Sequence, residues 1–249
     1  MPKTSERTFG NRLEHGRALQ VALDKIAGYS PDNANLTPTK FKQHLDAVEA
    51  ANNTVASSSQ TLSDARTSRR LAYFGDVKQG VPGLATLAAR VRDTPGSMAG
   101  GKHSPSYKQI QRLTQKISNY RPPKKPVTAP PGGPNANKKE ISQSEASYGS
   151  LVQAGRDLAA AAAQVPGYNP TATDLQPAAL TASMTALANH NKTVTTALVE
   201  VRNAVAARAE LYDGEQTGLK SQFQQAKAAV AAQFGRRSAE YKTIVGLRY

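Results

Sequence analysis

Apolar residues along this chain recur at alternating steps of four and three. From Phe41 the positions are Leu45, Val48, Asn52, Val55, Ser59, Leu62, Arg66, Arg69 and Tyr73. A second series runs Leu180, Met184, Leu187, Asn191, Val194, Leu198, Val201, Val205, Arg208 and Tyr212. That spacing keeps one face of an α-helix turned towards a partner, which is a heptad seam. Nothing sustains the period-two alternation of a strand. The pattern predicts an all-α protein with one long helix of about 36 residues per series, roughly 54 Å at 1.5 Å rise per residue. Helices of that length predict an elongated bundle with shallow crossing angles.

The two series belong to a duplication. Residues 5–75 recur at 144–214 with a constant offset of 139 and no gap. Identical pairs include Gly16/Gly155, Gly28-Tyr29/Gly167-Tyr168, Pro38/Pro177, Asn52/Asn191, Arg69/Arg208 and Tyr73/Tyr212. The expected organisation is a tandem helical bundle: a first repeat over 1–120, a Pro-rich linker over 121–143 and a second repeat over 144–249. The linker carries six prolines in the fourteen residues from Arg121, which favour an extended, solvated spacer.

Local signals place the other helices. A first helix is expected over 5–27 and 144–165, stopping at Gly28 and at Pro166-Gly167. A capping box, Ser142-x-x-Glu145, opens the second copy. A Gly-Tyr-x-Pro loop follows, and the long helix starts at Pro38 and Pro177, since proline is tolerated in a first turn. A shorter helix is expected around Leu84 to Arg92 and around Leu219 to Phe234. Ser104 and Ser238 then cap final helices, the first running to Ser118. Asn52 and Asn191 interrupt the seam at the same repeat position. Buried, each would pin helix register through a bond to another amide; exposed, it would simply be hydrated. Gly16 and Gly155 mark close helix approach.

The Gly-Tyr-x-Pro loops and the closing Tyr241-Lys242-x-Ile244-x-Gly246-Leu247-Arg248-Tyr249 resemble a group of uncharacterised bacterial two-repeat helical proteins. The resemblance covers most of the chain. It implies a bacterial source and carries no activity.

Charge adds the one functional signal. The net charge is +14, shared as 20 − 9 = +11 over residues 1–125 and 12 − 9 = +3 over 126–249. A field of that sign favours polyanions, although net charge also serves solubility. The basic residues concentrate at Arg90 and Arg92, at Lys102, at Lys108, Arg112 and Lys116, and at Arg121, Lys124 and Lys125, against the single acid Asp93. Lys108, Arg112 and Lys116 fall on one helical face, where they can track phosphates, with Tyr107 and Tyr120 available for stacking.

Other chemistry is weakly supported. With no Cys in the chain, disulfides and thiolate metal sites are excluded. Gly96 to His103 comes within one residue of a phosphate-binding loop, but His103 replaces the required Ser or Thr and no apolar strand precedes it. The four histidines, His15, His44, His103 and His190, lack ligand spacing. No nucleophile with a base is visible. The longest apolar run, Leu158 to Ala163, is too short for a bilayer, and no secretory segment is seen. The expectation is a cytoplasmic, non-enzymatic protein, without cofactor or membrane partner, that contacts nucleic acid or ribosomal RNA without sequence specificity. The alternative is a structural protein whose long helices pair into a dimer or filament through Asn52, Asn191, Leu198 and Val201. The Pro-rich linker also fits an adaptor for a protein partner.

Overall fold

The computed structural model describes residues 6–118 and 143–249. These form eight α-helices and one minimal hairpin: α1 Glu6–Asp24, α2 Pro38–Phe74, β1 Gly75–Asp76, β2 Val81–Pro82, α3 Leu84–Gly96, α4 Pro105–Ser118, α5 Gln143–Ala163, α6 Pro177–Asp213, α7 Leu219–Phe234 and α8 Ala239–Val245. The protein is all-α. The two long helices each have 37 residues and start on the anticipated prolines.

The loop before each long helix is fixed in the same way twice. Gly28 and Gly167 take φ of 75° and 73°, a region that only glycine enters freely. The chain then turns so that Tyr29 donates its hydroxyl to the Leu36 carbonyl at 3.3 Å, and Tyr168 to the Leu175 carbonyl at 3.0 Å. The final helices are capped as the sequence predicts: Ser104 Oγ accepts from the Tyr107 amide at 3.1 Å and Ser238 Oγ from the Tyr241 amide at 3.0 Å.

Three details depart from expectation. The hairpin from Gly75 to Pro82 stands where the repeats diverge; its register pairs Gly75 with Pro82 and Asp76 with Val81. Helix α3 runs on to Gly96 with Pro95 in its last turn, beyond the expected Arg92, because a proline at a helix end removes a bond without ending the helical backbone at once. Residue 143 is helical and not linker. The rest of the proposed linker, and Ser142 of the capping box, lie outside the described residues.

The chain forms two compact units, and they do not coincide with the two repeats. One comprises Met1–Leu62 with Ala197–Tyr249, the other Ser63–Thr196. In the first unit Leu19 and Leu23 of α1 and Phe41, Leu45 and Val48 of α2 pack in one cluster with Tyr212 of α6, Phe223 of α7 and Ile244 of α8. In the second, Tyr73 of α2, Val91 of α3 and Ile110 and Ile117 of α4 cluster with Leu158 of α5 and Leu180, Met184 and Leu187 of α6. Each core therefore takes residues from both repeats, whereas the sequence division at 1–120 and 144–249 assigns one body to each. The reason is length. A seam of 37 residues extends past one small core, and Tyr73 and Tyr212 near the two far ends are each covered by the other repeat.

The two close-approach glycines lie inside these cores. A Cβ on Gly16 would stand 2.6 Å from Leu45 Cδ2, and one on Gly155 would overlap Met184 Sδ.

Candidate polyanion-binding face

Helix α4 carries the basic stripe. Its buried residues are Tyr107, Ile110, Thr114 and Ile117, recurring every three or four positions, and they hold it to the second core. Buried Thr114 also donates its hydroxyl to the Ala88 carbonyl of α3 at 3.2 Å. Fixing that side leaves Lys108, Arg112 and Lys116 on the opposite, exposed side. None of the three makes an ion pair among the described residues. Lys102 is exposed in the short 3₁₀ turn Gly101–His103 just before the helix.

The other candidate cations divide. Arg90 forms a two-pronged contact with Asp174, and that bond, more than any other influence, holds the exposed Asp174 carboxyl below its ordinary pKa. Arg92 is paired with its neighbour Asp93, Nη2 to Oδ1 at 2.7 Å. Both are thus partly neutralised, so they offer less to a phosphate than α4 does. Arg121, Lys124, Lys125 and Tyr120 lie outside the described residues. Tyr107 is buried in the second unit, so it is not available for base stacking as the sequence suggests.

Beside Lys116 an open depression of about 350 Å³ is lined by Ser150, Leu151, Gln153, Ala154 and Asp157 of α5. Asp157 accepts from Gln153 Nε2 at 2.8 Å and places an acid at this end of the stripe. The Gly-rich segment from Gly96 to His103 follows helix α3 and not a strand, so the setting of a phosphate-binding loop is missing. Among the described residues no group of three or more His, Cys, Asp or Glu side chains could hold a metal. No described helix is long and apolar enough to cross a membrane.

The helix-pairing candidates have an unforeseen arrangement. Neither seam amide meets another amide. Asn52 donates to the Tyr212 hydroxyl at 3.0 Å, which in turn donates to the Phe9 carbonyl at 2.7 Å. In the other unit Asn191 donates to the Tyr73 hydroxyl at 2.9 Å, and that hydroxyl lies 3.2 Å from the Tyr148 carbonyl. Burial pushes the Tyr73 phenol up to about 12, which keeps it a neutral donor. Arg69 lies over the Tyr148 ring and Arg208 over the Phe9 ring, each with 4.0 Å to the centroid. Every member of one set is the repeat counterpart of a member of the other. The identical Asn, Arg and Tyr pairs in the sequence were the signal, but sequence alone does not say that each amide reaches the opposite repeat's tyrosine. Leu198 and Val201 of α6 are half-buried.

His44 adds a titratable contact in the first unit. Its Nε2 stands 3.0 Å from the Leu211 carbonyl oxygen, and burial holds its pKa below the usual value, outweighing that bond. The folded state therefore binds fewer protons than the unfolded state in the acid arm of the His titration, and stability falls as pH drops from about 7 towards 5.5. Urea midpoints measured at both pH values should separate in the native protein and draw together in His44→Gln; equal separations in both would remove His44 as the cause.

No family model, no curated protein and no solved structure matches this chain.

Proposed function

We propose that this protein is a non-enzymatic, basic helical protein that contacts nucleic acid, ribosomal RNA included, without sequence specificity. The observation that supports it best is the row Lys108, Arg112 and Lys116, exposed along one side of α4 and unpaired among the described residues. Three aligned cations on a rigid helix match the regular charge of a phosphate backbone, and they give no means of reading base edges. The excess of +11 over residues 1–125 extends the same field.

The test is size exclusion with light scattering, on nuclease-treated and untreated protein, at low and high salt. Nucleic acid should co-elute at low salt and leave at high salt. With three phosphate contacts, log affinity for a single strand should fall against log salt with a slope of about −2. Charge reversal in Lys108→Glu, Arg112→Glu and Lys116→Glu together should abolish co-elution while far-ultraviolet circular dichroism stays unchanged. A nucleic-acid-free oligomer that persists in high salt would defeat this reading and favour assembly through the long helices.

A further inference from the structure

The sequence divides the chain at its Pro-rich stretch over 121–143, and packing divides it into two units that each draw on both sides of that stretch. Among the described residues, the core of 6–62 is shared with 197–249 and that of 63–118 with 143–196. We propose that the two half-chains are binding partners for each other, so that a second copy of this chain can supply the complementary half and two copies can assemble by reciprocal exchange.

Three observations carry this. The first is that the buried cores pair apolar residues of one half-chain with those of the other throughout, as Phe41 and Leu45 with Phe223, and Ile110 and Ile117 with Leu158 and Leu180. The second is the repeated polar set: Asn52 with Tyr212 in one unit and Asn191 with Tyr73 in the other, each joining opposite halves. The third makes the pairing selective. Arg12 of α1 binds Asp213 at the end of α6, and its Nε also donates to the Tyr249 hydroxyl at 2.8 Å. At the offset of 139 the counterparts of Arg12 and Asp213 are Leu151 and Phe74, both apolar. Two first halves together would set Arg12 against Phe74, and two second halves would set Leu151 against Asp213. The first mismatch leaves Arg12, whose side chain is 13% exposed, without its acid, while Asp213, 54% exposed, stays hydrated in the second; first with second pairs both.

Within one chain the covalent connection makes the pairing intramolecular, so a closed single chain wins in dilute solution. At higher concentration, or after unfolding and refolding, the same contacts can form between copies, which is the general route of segment exchange. This inference does not depend on polyanion binding.

The experiment uses the full chain with a specific protease site replacing residues 128–133. Cut under native conditions, the product should elute as one species of full mass containing both fragments, with its helicity retained. Separation of the fragments, or their aggregation on cutting, would overturn the proposal. Cut protein carrying a tagged first half is then mixed with untagged, isotopically labelled cut protein, unfolded in urea and refolded. About half of the second halves recovered on the tag should carry label, and first-with-first pairs should stay at least tenfold rarer. Absence of label, or pairing without preference between like and unlike halves, would overturn it. The double variant Arg12→Leu with Asp213→Phe should raise like-with-like pairing by severalfold, and no rise would remove the Arg12–Asp213 contact as its selector.

Discussion

Replacing Tyr212 with alanine should lower the stability of the first unit by about 3–5 kcal/mol, and Tyr73→Ala should do the same to the second. Tyr212 is 0% exposed and Tyr73 1% exposed, so both rings leave cavities that the surrounding helices close only in part. The loss also removes hydrogen bonds. Without the Tyr212 hydroxyl, the Asn52 amide loses its acceptor and the Phe9 carbonyl, inside α1, the donor it has besides the helix. Tyr212→Phe isolates that polar share and should cost about 1–2 kcal/mol. Asn52→Leu should cost less than Tyr212→Phe, because the amide already carries a buried Oδ1 without a hydrogen-bond partner. Urea unfolding followed by circular dichroism, with the double variant closing a cycle, reads these terms. If Tyr212→Ala costs under about 1 kcal/mol, the buried ring does not hold the first core together.

Gly155→Val should destabilise the second unit by about 2–3 kcal/mol, and Gly16→Val the first by a similar amount. The first carbon of the new side chain already conflicts with Met184 in one case and with Leu45 in the other. Both obstacles are core residues, 2% and 3% exposed, with little room to retreat. Two other glycines supply the control. Gly10 and Gly149 sit within α1 and α5, and a Cβ there would meet nothing within 4 Å. Gly10→Ala and Gly149→Ala should therefore stabilise by about 0.5–1 kcal/mol through helix propensity alone. Thermal and urea midpoints should move in opposite directions for the two classes. Equal shifts would mean that packing at Gly16 and Gly155 is no tighter than at the exposed sites.

Much of the candidate face was legible in the residues themselves. Lys108, Arg112 and Lys116 recur every fourth position, and an α-helix necessarily collects such residues on one side. What the spacing did not reveal was the state of their neighbours. Arg90 meets Asp174, 84 residues away, and only packing brings them together. Tyr107 reads as a stacking ring by composition, yet it lies on the buried side of α4, where Ile110 and Ile117 also face.

The sequence by itself determined the helices and where the long and final ones start, though not the Gly75–Pro82 hairpin or the end of α3. Helix periodicity, the prolines at 38 and 177, the serine caps at 104 and 238 and the Gly-Tyr-x-Pro turns all act over fewer than ten residues, so local chemistry settles them. The duplication likewise announced that Asn52 and Asn191, or Gly16 and Gly155, play matched parts. Only the tertiary structure decided with whom. A heptad seam states that a helix has a partner without naming it, because apolar surface is non-directional and any complementary seam will cover it. The choice falls to directional and steric contacts made across long separations, such as Asn52 with Tyr212 over 160 residues and Arg12 with Tyr249 over 237. Those contacts join opposite repeats, and so each compact unit is made from both.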